Sequence, residues 1–187
     1  MGFTIVLTLV MLLAIAPAVH PQEPSNDPDS VAIYLKLLPK SSNGKMPLIL
    51  KTTTTSERCP VKVGDVPEPD FRQAVESFMT ENRVEHDISS VLAHADGYRF
   101  ITRPEFASYF GKNIEKGWKR FYKKNLTANG VVSFSVVGFN SSRTAAVVYK
   151  DIVSCSLCGN GRLHFFRKGG TGWYEVNDIG PYCGWIS

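Results

Sequence analysis

The spacing of the apolar residues changes along this chain, and that change constrains the fold more than any other feature. Between Phe106 and Tyr122 a large apolar residue recurs at every fourth position, which predicts an amphipathic helix. From Val131 onward apolar and polar residues alternate over short segments, which predicts strands. Because only short turns join these segments, we expect an antiparallel meander. The sequence therefore predicts an α+β fold in which N-terminal helices pack on a C-terminal four-stranded antiparallel meander sheet.

Turn and capping residues divide the rest of the chain into elements. We predict helices over 30–38 and 70–82, with a strand over 48–55 between them. A capping box starts the aromatic helix at about residue 102, and its Gly111 and Gly117 predict a break or a close packing contact. The predicted strands of the meander cover 131–136, 145–153, 163–167 and 173–176, with Gly159–Gly161 as the turn before the third.

The N-terminal segment indicates export. Residues 1–16 contain no charged side chain and lead to Ala16-Pro17-Ala18, a small-x-small cleavage signature. We therefore expect a signal peptide over 1–18, a disordered leader over 19–29 and a single α+β domain over 30–187. The lack of a basic residue near Met1 leaves an uncleaved anchor as the alternative. The expected location is secreted or periplasmic, with no transmembrane segment beyond the signal peptide.

Four cysteines remain after removal of a signal peptide, namely Cys59, Cys155, Cys158 and Cys183. An even number in an exported chain is typical of structural disulfides, and four cysteines can pair in three ways. We favour the long-range pairs Cys59–Cys155 and Cys158–Cys183 over a Cys155–Cys158 bond. The alternative is that Cys155 and Cys158 form a redox pair or, with the other two, a zinc site. Their C-x-x-C motif follows a strand, so no helix dipole is expected to activate the first thiol.

Basic residues accompany the aromatic stripe of the long predicted helix. They form a candidate anion-binding surface at Lys119, Arg120, Lys123 and Lys124. The aromatic residues lie on the apolar stripe, so the alternative is that these cations are only the solvated face of an amphipathic helix.

One segment holds residue types that hydrolases and metal sites use. His86, Asp87, His94 and Asp96 lie close together in sequence and could contribute to a catalytic triad. No G-x-S-x-G or H-E-x-x-H motif accompanies them, and polar loop residues explain them equally well. We expect no metal site there.

Three other polar residues lie at predicted turns or on a predicted strand. Asn125 and Asn140 begin glycosylation sequons at predicted turns, where a glycan could be accommodated. His164 alternates with apolar residues on a predicted strand, and we expect it to lie at the surface.

The C-terminal third carries a resemblance to known proteins. The residues that carry it are the stretches 133–140 (SFSVVGFN), 157–161 (LCGNG), 172–173 (GW) and 185–187 (WIS). Through them residues 98–187 resemble a group of exported bacterial proteins to which no activity is attached. The order of elements and the Gly-Trp pair are also similar to the NTF2-like and cystatin-like α+β cones. This second resemblance implies a pocket between helix and curved sheet, but it identifies no lining residue.

These observations favour a non-enzymatic function. A net charge of +4 serves solubility, and for an exported chain we expect no nucleic-acid partner. No cofactor motif is present, so no cofactor is expected. We interpret the chain as an exported, disulfide-stabilised binding or interaction domain of unknown ligand or protein partner. The alternatives are a thiol-disulfide or metal-binding protein using Cys155 and Cys158, and a small hydrolase using His86 or His94 with a neighbouring Asp.

Overall fold

The computed structural model describes residues 27–55, 57, 59–93, 95–177, 179 and 183–186. The predicted signal peptide, most of the leader, and His94 lie outside these residues. Within the described ranges no helix combines the length and the apolar character needed to cross a membrane.

Most helices of the described chain lie in its first half, and six consecutive strands follow the last helix. The helices are α1 (Pro28–Leu37), α2 (Pro69–Glu81), α3 (Arg103–Ser108) and α4 (Ile114–Lys124). The first three helices carry proline in their first turn, where a missing N–H removes no hydrogen bond. The strands are β1 (Met46–Leu50), β2 (Phe100–Ile101), β3 (Ala128–Phe134), β4 (Gly138–Phe139), β5 (Ala145–Cys155), β6 (Cys158–Gly169), β7 (Gly172–Val176) and β8 (Gly184–Ile186).

All of these strands belong to one mixed sheet. Its order is β2-β1-β3-β5-β6-β7, while β4 pairs with β5 and β8 pairs with β6. β1 runs parallel to both β2 and β3, and the remaining pairs are antiparallel. The long hairpin of β5 and β6 extends from Ala145 opposite Arg167 to Cys155 opposite Cys158. This hairpin forms the centre of the sheet and projects a narrow tip.

Helices cover both faces of the sheet. Ile33 of α1 shares a buried cluster with Val148, whereas Phe71 of α2 shares one with Val147. Because adjacent residues of a strand point to opposite faces, α1 and α2 lie on opposite sides of β5. α4 packs Phe121 against β1 and β3 on the same face as α2. Strand β3, for which the alternation predicts one buried face, is therefore covered on both faces.

Ion pairs fasten the start of α1 to the sheet. Asp27 caps the helix and accepts a hydrogen bond from Arg143 at 2.6 Å. The Asp29 carboxylate accepts from Lys168 Nζ at 2.9 Å and from Trp173 Nε1 at 2.8 Å. Burial alone would raise the pKa of Asp29, but these donors and Arg143 outweigh it and lower the pKa. The cluster joins α1 to the loop before β5, to the end of β6 and to the start of β7.

The α+β class is confirmed, but the sheet is larger than the predicted meander. β5, β6 and β7 follow one another as antiparallel hairpins, as predicted, whereas β1 and β2 join the sheet through parallel pairs. The threonines at 52–55 form only an isolated bridge at Thr52. The predicted turn at Gly159–Gly161 is wrong, because the chain reverses at Ser156 and Leu157 and both glycines lie within β6. A Cβ on Gly159 would lie 2.6 Å from the Trp185 ring, so the glycines make room for β8.

The long predicted helix is broken, as its glycines indicate. α3 ends at Ser108 and α4 begins at Ile114, with Gly111 in the connection. Gly117 lies inside α4, where a Cβ would collide with the Phe110 ring, so it provides the close packing contact. The break rotates Ile114 out of the predicted stripe, and this residue is 54% exposed.

All four cysteines form disulfides, but the favoured pairing is wrong. The bonds are Cys59–Cys183 and Cys155–Cys158, with Cα separations of 5.6 and 4.7 Å. The register of the β5–β6 hairpin places Cys155 directly opposite Cys158, which leaves the other two for each other. Cys59 is completely buried in the cluster under α2, so Cys59–Cys183 ties the C-terminal segment to the core.

Candidate functional site

A surface groove lies between α4 and the tip of the β5–β6 hairpin. Its volume is about 670 Å³, within the range of small-molecule sites. Residues of α4 at intervals of three and four share the face that borders it. The lining residues are Glu115, Trp118, Lys119, Tyr122 and Lys123 of α4, and Cys155 and Ser156 of the hairpin tip.

Two stacked aromatic rings contribute the apolar part of the groove. The Trp118 and Tyr122 ring centroids are 5.6 Å apart, with an angle of 25° between the planes. The Tyr122 hydroxyl donates to the Ser154 carbonyl at 2.6 Å and thereby ties α4 to β5. Burial raises the pKa of Tyr122, which keeps this donor protonated. Trp118 is largely buried, so the ring pair is held in place before any ligand arrives.

Two lysines give the groove a positive charge. Lys119 and Lys123 are exposed one helical turn apart, and Glu115 is the acidic residue of the lining. Two cations and one carboxylate leave a formal charge of +1 on these side chains. The other two predicted anion-binding residues have different roles: Arg120 donates to the Tyr109 carbonyl at 3.0 and 2.5 Å, and Lys124 lies 5.7 Å from the centroid of the same residue's ring.

The hairpin tip forms the other wall. Cys155 is partly buried and Cys158 is exposed, and Leu157 between them is 76% exposed. The backbone N–H of Leu157 donates to Cys155 Sγ at 3.4 Å. The tip therefore presents a short-range disulfide and an exposed apolar side chain, and Cys155 shares the groove lining with two lysines.

A second polar cluster occupies the sheet face that carries α1. His164, predicted to lie at the surface, is only 7% exposed and places Nδ1 2.7 Å from Glu175 Oε1. Arg162 binds the same carboxylate oxygen at 3.0 Å. Burial lowers the pKa of His164 and outweighs the opposing effect of Glu175, so the imidazole is neutral at ordinary pH. Burial likewise lowers the pKa of Lys150.

The predicted hydrolase residues do not converge in the described chain. The His86 ring contacts the Glu81 carbonyl at 3.0 Å. Asp87 instead accepts from Ser89 and lies 3.9 Å from Lys51. Among the described residues no group of three or more His, Cys, Asp or Glu has the arrangement of a metal site.

Both sequon asparagines are buried and hydrogen-bonded. Asn125 donates to the Phe121 carbonyl at 3.1 Å, and Asn140 donates to Thr144 Oγ1 at 3.1 Å. A glycan at either nitrogen would have to displace these bonds. The two side chains thus stabilise turns in the folded chain.

Sequence reasoning missed two features of these sites. The Gly169–Gly172 turn sets a register with Phe166 opposite Glu175, which makes His164 a diagonal neighbour of that carboxylate. Extending this register from the turn would have found the pair. No sequence pattern indicates which lysines of α4 meet the hairpin tip, because that depends on how far β5 and β6 project.

Comparisons with models of protein families, with curated proteins and with solved structures give no match to this chain.

Proposed function

We propose that this chain is an exported binding domain that holds an anionic ligand in the groove between α4 and the β5–β6 hairpin. The signal peptide over 1–18 and the resemblance to exported bacterial proteins are part of this proposal. Two disulfides, and the lack of a membrane-spanning helix in the described ranges, are compatible with a domain outside the cytoplasm.

One observation carries the proposal: Lys119 and Lys123 flank a stacked Trp118–Tyr122 pair in an open groove. An aromatic surface packs against the apolar face of a ligand, and the ammonium groups pair with its acidic groups. The rings are already fixed by packing and by the Tyr122 hydrogen bond, so little ordering cost opposes binding.

An acidic oligosaccharide has the chemistry that this groove fits best. The C–H face of a sugar ring packs on an aromatic ring, and a uronate carboxylate reaches a lysine beside it. The groove is open along the surface, so a ligand longer than the groove can extend beyond it.

Calorimetric titration with an oligosaccharide of uronic acids tests this function. We expect binding by the full chain, and we expect the double variant Lys119→Gln/Lys123→Gln to bind about tenfold more weakly, because each exposed ion pair contributes roughly 0.2 to 1 kcal/mol. The matched control, Lys112→Gln/Lys116→Gln, removes the same charge from exposed positions outside the groove lining.

The control should retain the affinity of the unaltered chain, and a neutral oligosaccharide of equal length should bind far more weakly. Equal losses in the two double variants would show that general surface charge, not the groove, attracts the ligand. Absence of binding by the unaltered chain would overturn the choice of ligand.

A further inference from the structure

The two disulfides have very different surroundings. Cys59–Cys183 spans 124 positions and contains a completely buried sulfur, whereas Cys155–Cys158 spans three positions at an exposed hairpin tip. Exposed disulfides are accessible to attacking thiolates, and buried ones that close long loops resist reduction. The Cys155–Cys158 bond can therefore open while the rest of the fold remains intact.

Several groups near Cys155 favour its thiolate form. The Leu157 N–H donates to its sulfur, and the groove that it lines contains Lys119 and Lys123 against one carboxylate, Glu115. Hydrogen bonds and nearby cations stabilise a thiolate and lower the pKa of a thiol. In an exchange reaction Cys155 is thus the better leaving group, and the more exposed Cys158 is the sulfur open to attack.

We propose that Cys155–Cys158 is a redox-active disulfide that exchanges with a peptide dithiol bound at the hairpin tip. The exposed Leu157 and the aromatic groove supply contacts for a peptide, which a small thiol would leave unused. The absence of a helix N-terminus at the motif is compensated by the two lysines and the Leu157 N–H.

The exchange proceeds in two balanced steps. A thiolate of the peptide attacks Cys158 Sγ, the Cys155–Cys158 bond breaks, and Cys155 leaves as a thiolate while a mixed disulfide forms at Cys158. The second thiolate of the peptide then attacks the first sulfur of the peptide, which is bonded to Cys158 in the mixed disulfide. The mixed disulfide breaks, and Cys158 leaves as a thiolate. The peptide dithiol loses two electrons and two protons and becomes a disulfide, and Cys155 and Cys158 gain them as thiols.

Differential alkylation of the full chain tests the proposal. We expect dithiothreitol to reduce Cys155–Cys158 faster than Cys59–Cys183, on the order of a hundredfold, without loss of the circular dichroism of the fold. In the reduced chain, Lys119→Gln/Lys123→Gln should slow alkylation of Cys155 at neutral pH by about threefold to tenfold and raise its thiol pKa. Lys112→Gln/Lys116→Gln should change neither.

A trapping variant gives a second measurement. After selective reduction of Cys155–Cys158 in the unaltered chain, oxidised glutathione should form a mixed disulfide at Cys158 that Cys155 then resolves, whereas Cys155→Ser should accumulate a lasting mixed disulfide at Cys158. Equal reduction rates of the two disulfides, equal effects of both lysine pairs, or a mixed disulfide of the same lifetime in both chains would overturn the proposal. These assays contain no oligosaccharide, so their failure leaves the binding function untouched.

Discussion

The two disulfides should stabilise the folded chain to very different extents. We compare Cys59→Ala/Cys183→Ala with Cys155→Ala/Cys158→Ala, because each double variant removes one cross-link and leaves the other intact. In the chain-entropy description, the stabilisation grows with the logarithm of the closed loop. The separations of 124 and three residues then correspond to about 5 and about 2 kcal/mol.

Burial increases this difference. Cys59 is completely buried in the cluster that includes Val66 and Phe71, so its replacement by alanine also removes packing from the core. That loss costs roughly 1 kcal/mol more. Cys155 and Cys158 flank a solvent-exposed turn, where truncation leaves no comparable cavity.

Urea unfolding of the oxidised chains measures both effects. With a slope of about 2 kcal/mol per molar urea, the midpoint should fall by about 2.5 M or more for the long-range pair and by about 1 M for the hairpin pair. If the Cys59→Ala/Cys183→Ala variant is already unfolded without urea, its loss is still the larger of the two, as expected. Equal losses, or a larger loss for the hairpin pair, would refute the reasoning.

Three further substitutions test contacts elsewhere in the fold. Gly161→Ala should cost about 2 kcal/mol and alter tryptophan fluorescence, because its Cβ would lie 2.6 Å from Trp185 Nε1; the same change at Gly170, which has open space around it, should be nearly neutral in urea unfolding. Asp29→Asn should lower stability at pH 7 by about 2 kcal/mol. The pKa of Asp29 is lower in the folded than in the unfolded chain, so the stabilisation by this carboxylate is complete above about pH 4 and is lost on further acidification. Acid unfolding of the Asp29→Asn variant should not show this loss. The stability of the unaltered chain should fall below about pH 6.5, because the folded chain holds the His164 imidazole neutral and its protonation opposes folding. His164→Gln should remove this fall, as measured by thermal unfolding between about pH 7 and pH 5. An unchanged dependence of stability on pH in the variant would contradict a neutral, buried imidazole.

Local patterns carry much of the fold. Alternation predicts β7, and the spacing of Phe71, Val75 and Phe78 predicts α2, because in these elements one face meets the core. Gly111 and Gly117 predict the interruption and close contact that separate and pack α3 and α4. In each case the sequence pattern that predicts the element lies within that element or the turn beside it.

The remaining elements depend on distant partners. Strand β2 has only two residues, and its parallel pairing with Ile49 and Leu50, 51 positions earlier in the chain, is a contact that no local pattern contains. The hairpin turn at Ser156 and Leu157 lacks the Gly and Asn residues that short hairpin turns favour. The sequence therefore predicts the turn at the nearby glycines instead. Here the Cys155–Cys158 bond closes the turn.

The residue types of the candidate site could be predicted from the sequence, but which of these residues line the groove could not. The basic helix and the C-x-x-C motif are visible as separate patterns, and the fold brings Lys119 and Lys123 into the lining of the same groove as Cys155. Arg120 carries the same charge but turns toward the Tyr109 carbonyl. Arg120 directly follows Lys119 in α4 and therefore lies roughly 100° further around the helix axis. Which side of α4 meets the hairpin tip depends on tertiary packing.

Nuclear magnetic resonance titration of the full chain with the uronic-acid oligosaccharide tests the central claim most directly. The account predicts that the largest shifts of backbone amides fall on Trp118, Lys119, Tyr122 and Lys123 of α4 and on Cys155 and Ser156 of the hairpin tip. The sheet face that holds His164 and Glu175 should remain unchanged. Shifts concentrated on that face, or spread evenly over the surface lysines, would contradict the account.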